Sequence, residues 1–178
     1  MANITFWDEL NEAEKAYFFR LQEITKSITG TDFLEIGAGW GISGTAFLSA
    51  REDINLISVD KDDLPLPKKR ISDNGLSGRY KYIVNDSVGF LTDRANSDKK
   101  WDLIYIDGDH TFNGAHRDIK HVWPKLKEGG LMVLDDYFHY LNDEGEYGVK
   151  TNVRRFSIGN NTSFMVYPEC NGFVVFKK

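Results

Sequence analysis

Acidic residues in the second half of the chain are spaced so that they could do chemistry together. Asp107 and Asp109 lie in the segment D-G-D-H, whose last residue is His110. Asp135 and Asp136 follow the apolar run L-M-V-L. The two segments come after strands predicted to be neighbours, which lie about 4.8 Å apart in a sheet, so their carboxylates can converge. Crowded carboxylates are costly unless a cation or a proton holds them together. Such oxygen ligands suit Mg²⁺ or another hard divalent ion.

A glycine-rich turn gives a second candidate site. Residues 33 to 44 read F-L-E-I-G-A-G-W-G-I-S-G, an apolar run with Glu35 followed by Gly37, Gly39 and Gly41. Glycine allows positive φ and lets a ligand lie against the main chain. Ile42 stands where the dinucleotide fingerprint G-x-G-x-x-G requires its third glycine, which disfavours a nucleotide-dependent oxidoreductase.

Asp60 follows the next apolar run, nineteen residues after Gly41. In α/β folds an acid at the carboxyl end of the second strand accepts hydrogen bonds from a ribose diol. The alternative is a loop or helix-capping aspartate like Asp62 and Asp63 beside it. The upstream glycine turn favours the ribose role.

The elements that position these residues alternate between strands and helices. An apolar stripe predicts an amphipathic helix over residues 6 to 29 within an N-terminal segment 1 to 30. Strands are predicted over 32–36, 54–59, 80–85, 101–106, 131–134, 163–167 and 172–178, with helices over 42–50, 88–95, 111–126 and 148–157. Residues 61–79 are expected to form a loop and a short helix.

These elements predict one α/β domain over residues 1 to 178. We expect a Rossmann-like, doubly wound, mostly parallel seven-stranded sheet that ends in an antiparallel hairpin. Residues 138 to 160 mix aromatic and acidic side chains, including His139, and are expected to form a substrate loop and short helix.

The composition limits the classes of partner. The 178 residues carry a net charge of −5 and no long basic stripe, which argues against a nucleic-acid surface and favours small molecules. No apolar run approaches the roughly 20 residues needed to span a bilayer, so no membrane association and a cytoplasmic location are expected. The single Cys170 excludes an internal disulfide.

The pattern E-x-G-x-G-x-G resembles motif I of the class I S-adenosylmethionine-dependent methyltransferases. D-G-D-H followed by G-G-L-M-V-L-D-D-Y resembles the D-G-D-H (Methyltransf_24-like) group and the Mg²⁺-dependent macrocin and aminocoumarin-sugar O-methyltransferases. This resemblance implies S-adenosylmethionine as cofactor, with Trp40 and Gly41 as the floor under its methionine part and Asp86 at its adenine. The residues that it implies in cofactor binding are Glu35, Gly37, Gly39, Trp40, Gly41, Asp60, Asp86, Ser87 and Asp107.

The same resemblance implies Asp107, Asp135 and Asp136 as Mg²⁺ ligands and Asp109 as general base. His110 is a departure, because those enzymes commonly have a hydrophobic residue there. A divalent ion lowers the pKa of a bound hydroxyl, and Asp109 or His110 could accept its proton. The alternatives are a helix N-cap for Asp109 or for Asp86, and a loop histidine for His110.

We therefore expect a metal-assisted O-methyltransferase that acts on a sugar-like or vicinal-hydroxyl small molecule. The alternatives are a metal-independent or non-catalytic S-adenosylmethionine-binding protein and, less favoured, a nucleotide-dependent oxidoreductase. The chain has little room for a substrate lid, which leaves a homodimer as a way to complete the site.

Overall fold

In the described part of the chain, seven strands, numbered in chain order, pair into one sheet. The computed structural model describes residues 4 to 178. The strands are β1 (Asp32–Ile36), β2 (Asn55–Asp60), β3 (Tyr80–Val84), β4 (Trp101–Ile106), β5 (Leu126–Leu134), β6 (Phe164–Tyr167) and β7 (Phe173–Lys177). Their order is β3-β2-β1-β4-β5-β7-β6; the first five are parallel, and β7 runs antiparallel to β5 and β6. The predicted doubly wound sheet with its terminal hairpin is confirmed.

Helices cover both faces of the sheet. They are α1 (Glu12–Ser27), α2 (Ile42–Ala50), α3 (Pro65–Asp73), α4 (Ser87–Thr92), α5 (Phe112–Val122), α6 (Leu141–Glu144) and α7 (Val149–Asn160). One apolar cluster joins the sheet to α1, α2 and α3, and a second joins its other face to α4, α5 and α7.

Strand β4 shows how the sequence specifies these two layers. Leu103 and Tyr105 belong to the first apolar cluster, whereas Ile104 and Ile106 belong to the second. Successive side chains of a strand point to opposite faces, and helices cover both faces of a parallel sheet. A continuous apolar run is therefore what a central strand requires.

The N-terminal helix begins later than the predicted residue 6. A short 3-10 turn (Trp7–Glu9) precedes it, and Asn11 is its N-cap. The Asn11 side chain accepts a hydrogen bond from the Glu14 backbone N–H at 3.0 Å, and the Glu14 carboxylate accepts one from the Asn11 backbone N–H at 2.8 Å. This capping box satisfies two backbone donors that a helix start leaves free. The predicted boundary was wrong because the apolar stripe continues through the turn.

The boundary between α5 and β5 also differs from the prediction. The helix expected to reach Leu126 ends at Val122, and a 3-10 turn that contains Pro124 follows. Strand β5 then starts at Leu126, which pairs with Trp101, and passes through an irregularity before Leu131. Gly129 has a φ of +77° there. Gly129 and Gly130, which lie between the predicted helix 111–126 and the predicted strand 131–134, instead form a bend within one strand.

The segment after β5 and the terminal hairpin lie side by side. Residues 138 to 160 form a loop, α6 and α7, and α7 extends to Asn160 rather than the predicted 157. Strand β7 pairs with β5, so the turn that connects β6 to β7 lies next to the end of β5. Within that neighbourhood the Tyr137 N–H donates to the Gly172 carbonyl at 2.8 Å. None of the helices in residues 4 to 178 is long and apolar enough to cross a lipid bilayer.

We expect Asn11→Ala to lower the free energy of unfolding by about 1 kcal/mol, because the Glu14 backbone N–H at the helix start loses its acceptor. For a chain of this size that corresponds to a fall in melting temperature of about 2–4 °C. Thermal denaturation followed by circular dichroism measures it. Asn11→Ser is the matched control, since serine caps as well as asparagine, and an equal loss in both variants would contradict the capping role.

Candidate active site

The carboxyl ends of four parallel strands meet along one edge of the sheet. Ile36 pairs with Val59 on one side and with Ile106 on the other, and Ile106 pairs with Leu134. The next residues of these strands are therefore neighbours, namely Gly37, Asp60, Asp107 and Asp135. This is the edge at which open α/β sheets bind ligands.

Close backbone approach at this edge requires glycine. Gly37 has a φ of +86°, and a Cβ there would lie 2.1 Å from the Asp107 carbonyl oxygen. Gly41 has a φ of +76°, is the N-cap of α2, and a Cβ would lie 2.7 Å from Pro67 Cα. Gly39 has a φ of +44° with open space around it. The turn thus keeps the strand end and the start of α2 tightly packed and leaves room above its middle.

A cleft of about 710 Å³ opens beside this turn. Four residues predicted to bind the cofactor line it: Gly37, Asp60, Asp86 and Ser87. The volume lies within the range of small-molecule sites. Gly39, Gly41 and Asp107 border the same edge without lining the cleft, although Gly108 after Asp107 does line it.

Hydrogen bonds to the backbone fix Asp60 at the cleft. One carboxylate oxygen accepts from the Ala38 N–H at 2.9 Å, and the other accepts from the Asp62 N–H at 3.0 Å. Each oxygen keeps a lone pair for a further donor. Asp60 is therefore both part of the glycine turn and available to a ligand hydroxyl.

Asp86 is the N-cap of α4, since its carboxylate accepts from the Gly89 N–H at 2.8 Å. Asp86 therefore caps the helix, as the alternative interpretation expected, and it lines the cleft as well.

Ser87 donates to Asp118 Oδ1 at 2.5 Å. Asp118 lines the cleft from α5 and is 1% exposed, and burial raises its pKa. Sequence reasoning missed Asp118, although an acid within the apolar stripe of α5 was the available signal.

Two residues predicted to contact the cofactor, Glu35 and Trp40, do not line this cleft. Glu35 is 1% exposed and accepts hydrogen bonds from Ser43 and Ser58, so its carboxylate is used beneath the turn rather than in the cleft. The Trp40 side chain is 70% exposed, and only its carbonyl is engaged, by Arg70 at 3.0 Å. The Trp40 side chain therefore does not line the cleft, and its place under the methionine part of the cofactor stays a prediction.

A cluster of Asp107, His110 and Asp136 lies at the next part of the edge. His110 Nε2 is 3.0 Å from Asp107 Oδ1, and His110 Nδ1 is 3.3 Å from Asp136 Oδ2. A neutral imidazole has one N–H, so contacts of both nitrogens with carboxylates favour the protonated ring. Asp136 has a φ of +61°, and Asn171 donates to its Oδ1 at 2.9 Å. The structure thus brings His110 together with two of the three predicted metal ligands.

Asp135, the third predicted ligand, makes different contacts. Its Oδ2 accepts from the Tyr105 hydroxyl at 2.5 Å and the Tyr17 hydroxyl at 3.0 Å, and the two hydroxyls contact each other. Its Oδ1 is buried without a hydrogen-bond partner among the described residues. The two tyrosines are far from Asp135 in sequence, and sequence reasoning did not find them.

The pKa values of Asp107, Asp135 and His110 are all raised. Burial raises the pKa of Asp107, and burial with the charge of Asp107 raises the pKa of Asp135 to about 7. Burial lowers the pKa of His110, but the Asp107 hydrogen bond and the nearby carboxylates outweigh it and raise the pKa overall. The edge therefore carries an excess of negative charge.

These residues fit a divalent cation. One ligand atom from each of Asp107, His110 and Asp136 lies within 4.8 Å of the others. Carboxylate oxygens suit Mg²⁺ or Mn²⁺, and an imidazole nitrogen shifts preference toward transition metals. Asp135 lies outside this group, although its buried Oδ1 has no hydrogen-bond partner among the described residues.

Asp109 lies outside this cluster. It accepts from the Thr111 N–H at 3.1 Å, while Thr111 itself is the N-cap of α5. The hydrogen bonding of Thr111 lowers the pKa of Asp109, and Arg117 lies 3.9 Å away. Asp109 is therefore a weak proton acceptor that helps to order the turn.

Aromatic side chains from the loop after β5 border the cluster. The Tyr147 ring lies 4.9 Å from His110 and stacks on His139 at 4.7 Å. Tyr147 also lines the cleft, and the Gly148 N–H donates to the His110 carbonyl at 2.8 Å. The predicted substrate loop thus lies against the cluster.

Residues 34 to 137 match the sequence profile of a family described as a methyltransferase domain, Methyltransf_24. This range holds the glycine turn and all the acids of the edge. Ribosomal RNA small subunit methyltransferase B from Yersinia enterocolitica is 26% identical over 151 residues, which cover 72% of this chain and 34% of the relative. The chain spans about a third of the length of that relative.

Solved O-methyltransferases share the fold. A Staphylococcus aureus protein assigned as a caffeoyl-CoA O-methyltransferase aligns with a TM-score of 0.77 at 15% identity, covering 97% of this chain and 95% of that protein. TomG of Streptomyces achromogenes, solved with S-adenosylmethionine, gives 0.74 at 15% identity with 94% and 90% covered. A Bacillus cereus O-methyltransferase, solved with S-adenosylhomocysteine, gives 0.75 at 14% identity with 92% and 81% covered.

We expect Glu35→Gln to reduce the pH dependence of stability. Burial raises the pKa of Glu35 from 4.5 to about 7, against the opposing hydrogen bonds of Ser43 and Ser58. Between these values the folded state holds a proton that the unfolded state releases, so the free energy of unfolding falls as the pH rises from about 4.5 to 7. Glutamine removes that loss, which is on the order of 2 kcal/mol.

Urea denaturation of the wild type and the variant at pH 5 and pH 8 measures this difference. Other titrating groups contribute equally to both proteins, so only the change in slope reports Glu35. The same pH dependence in both proteins would rule out a proton on Glu35. Asp53→Asn, at an exposed carboxylate, serves as the control.

Proposed function

We propose that this chain, which belongs to the methyltransferase domain family, uses S-adenosylmethionine to methylate a hydroxyl oxygen of a small molecule with the aid of a divalent cation. The family match confirms the resemblance carried by the glycine turn and D-G-D-H. The observation that supports the finer proposal is the position of the cluster Asp107, His110 and Asp136 directly beside the cleft.

The cleft supplies the contacts that the cofactor needs. S-adenosylmethionine provides a methyl group already activated on a sulfonium. In this proposal Gly37 lets the cofactor lie against the main chain, Asp60 accepts from the ribose hydroxyls, and Asp86 lies at the adenine end with Ser87. The edge residues Gly39, Gly41 and Asp107 complete the predicted contacts near the methionine part.

In this proposal the cation binds at the acidic edge of the sheet. Asp107 and Asp136 would hold it, with the free Oδ1 of Asp135 as the third predicted ligand. The His110 nitrogens lie among the same donors. A divalent cation lowers the pKa of an acceptor hydroxyl and aligns it for attack. Mg²⁺ was the expected ion, and the nearby imidazole makes Mn²⁺ an equally suitable probe.

His110 is the better of the two predicted proton acceptors. Its ring lies between Asp107 and Asp136, at the edge where the hydroxyl must react. Asp109 faces the start of α5 and has a lowered pKa. The protonated ring cannot accept a proton, so the proton-accepting role that we assign to His110 belongs to its neutral form; we assign an ordering role to Asp109.

The acceptor is proposed to be a hydroxylated, sugar-like or vicinal-diol molecule. His139 and Tyr147 give a stacked aromatic wall against which a ring can pack. The net charge of −5 favours a small molecule over the nucleic acid that the Yersinia relative's name implies. We also propose that the protein is cytoplasmic, that it has no membrane partner and that it forms a homodimer, which closes the site.

One observation favours a metal-independent variant of this function. His110 already contacts both carboxylates of the cluster, so a protonated imidazole can balance part of their charge. In this alternative the protein binds S-adenosylmethionine and positions the acceptor without a cation. The metal experiment below separates the two.

We expect Asp60→Ala to weaken S-adenosylmethionine binding by roughly 10- to 100-fold, because a charged acceptor for the ribose hydroxyls is lost. Isothermal titration calorimetry measures the affinity. The exposed Asp63→Ala is the matched control and should bind like the wild type. An unchanged affinity in Asp60→Ala would refute the ribose assignment.

We expect Asp136→Asn to weaken Mn²⁺ binding at least tenfold while S-adenosylmethionine affinity stays within about twofold. Electron paramagnetic resonance measures free Mn²⁺, and transfer of a labelled methyl group to a panel of hydroxylated acceptors, with and without EDTA, measures function. Asp109→Asn, a neighbouring acid outside the cluster, should retain Mn²⁺ affinity. Full turnover in EDTA with no Mn²⁺ binding would favour the metal-independent alternative.

A further inference from the structure

Two buried tyrosine hydroxyls converge on a single oxygen of Asp135. Tyr17 comes from α1 and Tyr105 from β4, and they are 7% and 0% exposed. Their hydroxyls reach Asp135 Oδ2 at 3.0 Å and 2.5 Å. A helix at the start of the chain therefore contacts the residue that ends β5.

The packing of these rings does not require the hydroxyls. The Tyr17 ring makes an edge contact with Phe173, and the Tyr105 ring makes one with Phe47, at centroid distances of 5.7 Å and 5.6 Å. Phenylalanine would make the same edge contacts. A buried hydroxyl is tolerated only with a partner, and the partner here is Asp135.

The hydrogen bonds also decide which oxygen of Asp135 stays free. Both tyrosines use Oδ2, so Oδ1 remains buried and bare. Asp136 repeats the arrangement, because Asn171 holds its Oδ1 while Oδ2 faces His110. Each acid thus has one oxygen that the surrounding fold holds. Asp136 belongs to the group of possible metal ligands within 4.8 Å of one another, whereas Asp135 lies beside that group with its Oδ1 unpartnered among the described residues.

We propose that Tyr17 and Tyr105 are positioning residues that fix Asp135 and present its Oδ1 to the divalent cation. This inference rests on the proposed function. It makes α1 part of the active site, since the helix supplies one of the two hydroxyls. Hydrogen bonds of this kind orient a ligating carboxylate, and their loss weakens metal binding without removing a ligand.

The test is the affinity of the full chain for Mn²⁺, measured by electron paramagnetic resonance, in Tyr17→Phe and Tyr105→Phe. Each variant is expected to bind Mn²⁺ roughly 10- to 100-fold more weakly, with unchanged S-adenosylmethionine affinity by calorimetry. Tyr80→Phe, a tyrosine on the opposite edge strand β3, is the matched control and should bind Mn²⁺ like the wild type.

A double-mutant cycle separates positioning from a general structural role. Tyr17→Phe should have no further effect in an Asp135→Asn background, because the hydroxyl acts through that carboxylate. Equal losses of Mn²⁺ and S-adenosylmethionine affinity with a lowered melting temperature would overturn the proposal in favour of a purely structural role. If Tyr17→Phe does not fold, Tyr105→Phe carries the same measurements.

The wild-type protein distinguishes failure of this inference from failure of the proposed function. If the wild type binds Mn²⁺ and both Tyr17→Phe and Tyr105→Phe bind it equally well, only the positioning role is overturned. No Mn²⁺ binding by the wild type would overturn the cation part of the proposed function and this inference together.

Discussion

The accumulation of carboxylates at one edge of the sheet is the constraint on which the site depends. Parallel strands that end together place Asp107 and Asp135 next to each other, and Glu35 lies buried below them. Like charges in a low-dielectric environment repel, so each must be balanced by hydrogen bonds, a proton or a cation. The serines, tyrosines and histidine around this edge supply that balance for the protein itself.

The groups that supply this balance come from distant parts of the chain. Tyr17 lies on α1, Ser43 lies in the first turn of α2, and Asn171 lies in the turn between β6 and β7. Strand β7 lies beside β5 in the sheet, which explains why a residue so near the end of the chain reaches Asp136. The antiparallel hairpin therefore contributes to the site as well as to the sheet.

The architecture was predictable because its signals are local. Apolar runs between polar turns marked every strand of the described sheet. The predicted boundaries were wrong where a cap or an irregular strand overrides a periodic pattern. Asn11 starts α1 inside an apolar stripe, and Gly129 bends a strand that a sequence pattern reads as a turn.

The sequence by itself determined which acids and glycines lie at the strand ends, since chain order and strand periodicity fix that much. Only the tertiary structure decided where the side chains point. Asp135 and Asp136 are adjacent in sequence, yet one meets two tyrosines while the other, with a positive φ, meets His110. Glu35 precedes the glycine turn and Trp40 lies within it, but Glu35 is buried and Trp40 is exposed. These outcomes depend on backbone direction and on partners far away in sequence, which no local pattern contains.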